Sequence, residues 1–229
     1  QIRSSAASDV YKRQFINTVE SMCDIEVPDR ASYIRILVAE FQRISSHLVA
    51  LGTYGLDLGG ALGGGASLFL YCFREREKIL DFMEALTGTR FHTNINQVGG
   101  IRYDLNDSTI KQANDLITYL RPKLDEYFDV ISQDEIFIKR TKNIGVISKK
   151  LASESGGSGP VARGSGISFD LRKDSPYEKY SELEFIVPIG QIGDAYDRTM
   201  VRMKETIQSL NICEQVLDKL PQGLSLIHI

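Results

Sequence analysis

Apolar residues recur at three and four positions over Ile34, Leu37, Val38, Phe41, Ile44, Leu48 and Leu51, the spacing of one buried helix face. Asp29, after Pro28, is placed to cap such a helix from about Arg30. Glu40, Arg43 and His47 keep the same spacing on the other side. Tyr54 and Asp57 extend that stripe if the helix survives Gly52 and Gly55. A polar stripe of this kind has two readings, a solvated face or a seam turned toward a partner or cavity. Periodicity does not choose between them.

A second helix is predicted from Leu68 to Thr87, with Gly88 as its stop and Phe69, Phe73, Leu80, Met83 and Leu86 on its apolar side. Phe91 to Asn106 reads as short and irregular. A third helix covers roughly Ser108 to Ser132, where Pro122 should kink it. Ile136 to Lys142 reads as a short helix and Ser153 to Gly166 as a loop. Ile167 to Leu171 alternates like a strand, with Glu182 to Pro188 as its pairing partner. A last helix starts at Asp194 and ends at Pro221, with Tyr196, Met200, Met203, Ile207, Leu210 and Leu217 on one face. The expected architecture is mainly α, a long-helix bundle with a small β appendage.

The two ends break this pattern. Gln1 to Gln14 is polar without useful periodicity, and Leu224 to Ile229 follows a Pro221-Gln222-Gly223 stop with no evident packing partner. Residues 1–14 and 224–229 therefore read as non-native flanks around a domain at 15–223 that is truncated at both ends.

Composition narrows the chemistry. The 229 residues are 42% hydrophobic and 25% charged, with a net charge of −3, enough for a real core and without the clustered basic excess of a nucleic-acid surface. The apolar run from Leu48 enters a Gly-rich turn and holds Asp57, too broken to span a membrane, so membrane contact must come through partners. Cys23, Cys72 and Cys213 show no C-x-x-C spacing, and His47, His92 and His228 are far apart. That argues against a zinc or iron–sulfur site built by this chain alone, and a reducing compartment fits three scattered thiols. Gly59 to Gly65 lacks the Lys-Ser/Thr of a phosphate loop. Residue by residue, no complete catalytic site is visible.

Five ordered blocks say more. PDRASYIRILVAEFQRISSHLVALGTYGLDLGG (Pro28 to Gly60) resembles P-x-R-A-x-x-I-R-x-L-x-x-E-x-x-R-I-x-x-H-L…L-D-x-G-A, the signature stretch of the 49-kDa subunit family of respiratory complex I. FREREKILDFMEALTGTRFH (Phe73 to His92) is similar to that family's E-R-E-K…G-x-R-x-H segment. SGPVARGSGISFDLRKDSPY (Ser158 to Tyr177), GDAYDRTMVRMKE (Gly193 to Glu205) and VLDKLP (Val216 to Pro221) continue the likeness in order.

The resemblance implies a quinone-site subunit of NADH:quinone oxidoreductase with a fold related to the [NiFe] hydrogenase large subunit. It would help form the chamber where electrons from an iron–sulfur cluster in an adjacent subunit reduce quinone, coupled to proton translocation. It would bind no cofactor itself, with NADH and flavin held elsewhere. Its partners would be the cluster-bearing subunit and the other peripheral-arm and membrane-arm subunits, on the cytoplasmic face of a prokaryotic plasma membrane. Asp57 matches the family Asp that supports a quinone-facing histidine. His92 matches the histidine that couples cluster reduction to protonation. Arg163 matches a loop arginine expected to help dock the cluster-bearing subunit. Glu40, Arg43, His47 and Tyr54 would face the chamber or a partner.

This sequence departs from the family pattern in three ways. The quinone-contacting histidine and tyrosine, N-terminal in the family, are absent. Extra residues including Gly63 to Ala66 follow the L-D-L-G-G run, and R-A-S-G and W-D-L become Arg163-Gly164-Ser165-Gly166 and Phe169-Asp170-Leu171. Rival readings are the large subunit of an energy-converting [NiFe] hydrogenase, a deazaflavin- or ferredoxin-linked relative, or a purely structural helical subunit.

Overall fold

The computed structural model describes residues 2–58, 66–91 and 93–227, with side chains from residue 12 onward. Long helices dominate: α2 (Asp29–Asp57), α3 (Ala66–Thr87) and α4 (Asp107–Gln133) where the periodicity predicts them, preceded by α1 (Ile2–Met22), which it does not predict. Short helices follow, α5 (Glu135–Thr141), α6 (Lys149–Glu154), α7 (Gly159–Gly164) and α8 (Leu171–Asp174), before the long α9 (Ala195–Lys219). α2 is the central element, packed on α3 along one side and α9 along another, and α4 packs against both of those neighbours. Ile34, Leu37, Phe41, Ile44 and Leu48 are fully buried there, and the Phe41 and Phe82 rings meet at 5.1 Å.

α2 survives both of its internal glycines. At Gly52 a Cβ would stand 3.2 Å from the Cys72 Cβ and 3.3 Å from the Phe69 Cα, so the missing side chain lets α2 and α3 approach closely. Asp29 is not the cap; Pro28 precedes the helix with φ −57°, and Asp29 lies inside the first turn, where it favours the helix dipole and pairs with Lys179. α4 begins with a reciprocal capping box between Asn106 and Thr109 and continues through Pro122 as one helix. α9 is capped by Asp194, whose carboxylate accepts from the Asp197 N–H at 2.8 Å.

Two further expectations fail. Among the described residues the β appendage is a two-stranded antiparallel pair, β1 (Asn96–Gln97) with β2 (Gly100–Ile101), in the segment read as irregular. Neither Ile167 to Leu171 nor Glu182 to Pro188 is a strand. In the second segment, side-chain amides of α9 replace a strand ladder: Gln215 bonds the Glu184 N–H at 2.8 Å and its carbonyl at 2.7 Å, and Gln208 accepts from the Ile186 N–H at 3.0 Å. The loop read at Ser153 to Gly166 holds the end of α6 and all of α7, because Pro160 in the first turn presets the helical φ that a Gly/Ser-rich composition disguises.

Of the two ends, α1 runs through residues 2–14 into residue 22. Residues 225–227 line β2, with the Ser225 carbonyl accepting from the Ile101 N–H at 2.9 Å and the Ile227 N–H donating to the Gly99 carbonyl at 3.0 Å.

Candidate functional site

Along the polar stripe of α2, Glu40 is buried, Arg43, His47 and Tyr54 are half-buried, and Asp57 is exposed. Glu40 is 0% exposed and sits within reach of three elements. Arg172 of α8 donates to both of its oxygens from Nη1, at 3.1 and 3.0 Å. Arg43 donates from Nε at 3.2 Å, and the hydroxyl of Tyr180, in a 3-10 turn at Tyr180–Glu182, donates at 2.5 Å. Burial alone would raise the Glu40 carboxyl, but Arg43 and Arg172 outweigh it and hold it down to about 2.

The same guanidinium of Arg172 grips Asp170 through Nε at 3.0 Å and Nη2 at 2.8 Å. Asp170 faces Arg163 of α7 at 3.6 Å. Arg163 donates from Nε to Glu205 of α9 at 2.5 Å and from Nη1 to the Phe169 carbonyl at 3.0 Å. The second oxygen of Glu205 meets His47 Nε2 at 2.8 Å. Glu40, Arg172, Asp170, Arg163, Glu205 and His47 thus form one continuous run of charge-assisted contacts that returns to α2 two turns from its start. Burial opposes the charge on Asp170 and Glu205, but Arg172 outweighs it at Asp170, the His47 hydrogen bond and Arg163 outweigh it at Glu205, and both carboxyls stay below their ordinary range. Burial pushes the His47 imidazole down; Glu205 restores part of that, while Arg43 and Arg202 push it further down.

Arg43 and His47 also line a cleft of about 1250 Å³ between α1, α2 and α3. Val38, Val49, Ile79, Leu80 and Met83 supply apolar wall, and Arg76 and Arg90 supply charge from the α3 side. An apolar cavity with a few convergent polar groups suits a small ligand with a polar head. Tyr54 and Asp57 open onto a different, smaller pocket of about 350 Å³, shared with Arg198 and Arg202 of α9. The α2 stripe therefore divides: Glu40, Arg43 and His47 belong to the ion network, Arg43 and His47 also line the large cleft, and Tyr54 and Asp57 line the second pocket. His92 lies outside the described residues.

Arg163 is buried, and the bonds its guanidinium makes are internal, so it braces the loop from α7 to α8. Gly164 beside it explains one departure from the family pattern. A Cβ there would stand 2.9 Å from the Arg198 Cγ, so α7 lies closer to α9 than an alanine allows. Sequence reasoning missed Asp170, Arg172, Tyr180 and Glu205. Only Glu205 carries a local signal: it shares a spacing of four with Val201 and Ser209, on a stripe that buries Ile212 and Val216 as well. Among the described residues, no cluster of three or more His, Cys, Asp or Glu side chains is placed to hold a metal ion, and no helix is long and apolar enough to cross a membrane.

Residues 63–228 match the family described as the 49 Kd subunit of respiratory-chain NADH dehydrogenase. The chain is 46% identical over 211 residues to the C/D 2 subunit of NADH-quinone oxidoreductase from Aquifex aeolicus, covering 91% of this chain and 35% of that protein. It is 48% identical over 211 residues to the D subunit of the Chlorobium chlorochromatii enzyme, covering 90% and 52%. It is 41% identical over 209 residues to the D subunit of the Desulforamulus reducens enzyme, covering 91% and 56%. The chain spans about a third to a little over half the length of these relatives.

Proposed function

The chain belongs to the family of the respiratory-chain NADH dehydrogenase 49 Kd subunit, and from that premise we propose that it is part of the quinone-reducing site of an NADH:quinone oxidoreductase. The observation that supports this best is the large cleft beside α2. Its apolar wall suits a hydrophobic quinone tail, and Arg43 and Arg76 offer donors to quinone oxygens. Electrons would arrive from an iron–sulfur cluster in an adjacent subunit, and this chain would hold no redox centre of its own. Its own contribution is to shape the cavity, exclude water from the buried wall, and hold protons near the substrate.

Within this reading Asp57 tunes a quinone-facing imidazole from the second pocket, and His92 couples protonation to reduction of the neighbouring cluster. Arg163 serves docking indirectly. It fixes the loop that presents Phe169 and Leu171, which are 50% and 57% exposed, to a neighbouring subunit. Membrane association would come through such partners.

The test is photolabelling of the assembled complex with a quinone carrying a photoreactive group. Label on α2 and α3 residues that line the cleft is the expected result. Label confined to other surfaces of the subunit would sink the reading.

A further inference from the structure

We propose that His47 is a proton-loading residue of the cleft, taking a proton at Nδ1 as quinone gains electrons and passing it to a quinone oxygen. The inference rests on the quinone reading above and assigns a role to one residue within it.

The tautomer follows from what surrounds His47. Glu205 is an ionised carboxylate tied to Arg163 through its other oxygen at 2.5 Å, so it can only accept. The contact at 2.8 Å must therefore be His47 Nε2–H donating to Glu205. Nδ1 keeps a bare lone pair, with no hydrogen-bond partner among the described residues. His47 lines the cleft, and its side chain is 12% exposed, so water can reach it.

Charge balance decides when that lone pair fills. Glu40, Asp170 and Glu205 are offset by Arg43, Arg163 and Arg172, so the buried run is neutral while His47 is neutral. A proton on His47 leaves one uncompensated positive charge there. Arg43 on its own helix and Arg202 on α9 face it and oppose that proton. Across the cleft stand Arg76 and Arg90, the latter already engaged by Glu77, Asp81 and Glu84. Glu205, the anion beside His47, is already matched by Arg163, so the resting site lacks an uncompensated anion, and a quinone that has accepted electrons supplies one. A negative charge close to an imidazole raises its affinity for a proton.

The step balances. Quinone takes two electrons from the adjacent subunit's cluster and two protons, giving quinol. One proton leaves His47 Nδ1 as an O–H bond forms, and the neutral imidazole reloads from water. The second proton comes from solvent.

The experiment uses the assembled complex carrying the intact subunit, with the rate of quinone reduction normalised to complex content and followed against pH. Loss of protonated His47 predicts a wild-type rate that falls along an alkaline limb. His47→Gln keeps an N–H toward Glu205 but cannot titrate, so the limb should vanish and the plateau should drop by about 10²-fold. Glu205→Gln removes the charge that favours protonated His47, so its limb should move to lower pH. An unchanged limb in His47→Gln, or a slower Glu205→Gln enzyme whose limb has not moved, would show that His47 is only a brace. Should His47→Gln fail to assemble, the Glu205→Gln profile decides alone, a shifted limb for the proposal and a fixed limb against it. Photolabel inside the cleft with a fixed limb removes His47 only, whereas photolabel elsewhere removes the quinone reading itself.

Discussion

Glu40 on α2 and Arg172 on α8, 132 positions apart, meet through two hydrogen bonds of 3.0 and 3.1 Å with side chains 0% and 2% exposed. Neither charge is solvated, so each depends on the other. Breaking such a pair from one side costs more than the pair contributes, because the remaining charge stays buried. Glu40→Gln leaves Arg172 and Arg43 facing a neutral amide and should cost about 3–5 kcal/mol in urea unfolding. Arg172→Lys keeps the charge but loses the two-pronged grip on Asp170, and should cost less. A Glu40→Gln loss under about 1 kcal/mol would show that water enters the site.

Acid should reach the same pair. The Glu40 carboxyl is held down to about 2 from its ordinary 4.5. Its stabilisation is complete above the unfolded value and is lost as pH falls through the folded one, between about 4.5 and 2. The full difference is on the order of 3 kcal/mol. Far-ultraviolet circular dichroism during unfolding at several pH values should show stability falling across that window. The Glu40→Gln chain should show a slope shallower by one proton, and identical slopes would remove Glu40 as a source.

Gly193 should not tolerate a side chain. Its φ is +80°, and a Cβ would stand 2.2 Å from the Ile147 carbonyl oxygen, which is backbone and cannot swing aside. Its own carbonyl accepts from Ile147 N–H and Arg198, so a shift there also loosens α9 from the chain before α6. Gly88 is the control, with φ +73° and open space around it. Gly88→Ala should lose about 1–2 kcal/mol from the left-handed conformation alone. Gly193→Ala should lose clearly more in the same melt, and equal losses would mean that the Ile147 contact relaxes without cost.

The long helices α2, α3, α4 and α9 are legible because each has a periodic apolar face, as Ile34 to Leu51 shows, whereas α1 begins in a polar segment without one. The β appendage was misplaced because alternation at Ile167 to Leu171 cannot reveal a missing partner, and Glu182 to Pro188 finds its bonds on Gln208 and Gln215. For the site, periodicity put Glu40, Arg43 and His47 on one line without showing that the line is buried. The residues that make burial tolerable, Arg172, Tyr180 and Glu205, come from elements more than 130 positions away. No local pattern encodes that meeting. Family likeness singled out Asp57, His92 and Arg163, yet the geometry turns Arg163 inward to Glu205.

His92 should couple the neighbouring cluster to protons, a prediction resting on the match of Gly88-Thr89-Arg90-Phe91-His92 to the family motif. Added electron density on a cluster raises the affinity of an adjacent imidazole for a proton. By linkage, the cluster's potential falls as pH rises between the oxidised-state and reduced-state values of His92, and is flat outside them. In the complex, His92→Met should flatten that slope in redox titrations read by electron paramagnetic resonance. A slope that survives the change would assign the proton to another group.

Asp57 closes α2 against local preference. A helix C-terminus carries partial negative charge, so an exposed carboxylate there costs about 0.3–1 kcal/mol, and a residue that breaks a local rule invites a functional explanation. Its pocket places it with Tyr54, Arg198 and Arg202, where a fixed negative charge can orient an imidazole and favour its protonated form. Asp57→Asn keeps the shape and removes the charge. Two outcomes should then separate. Stability of the subunit should stay level or rise slightly, because an unfavourable end charge is gone. Quinone reduction in the assembled complex should fall about 10-fold or more, while NADH oxidation by a hydrophilic artificial acceptor should continue. Parallel loss of both activities would mean that Asp57 serves assembly. Full quinone turnover with a more stable subunit would mean that the carboxylate has no part in the chemistry.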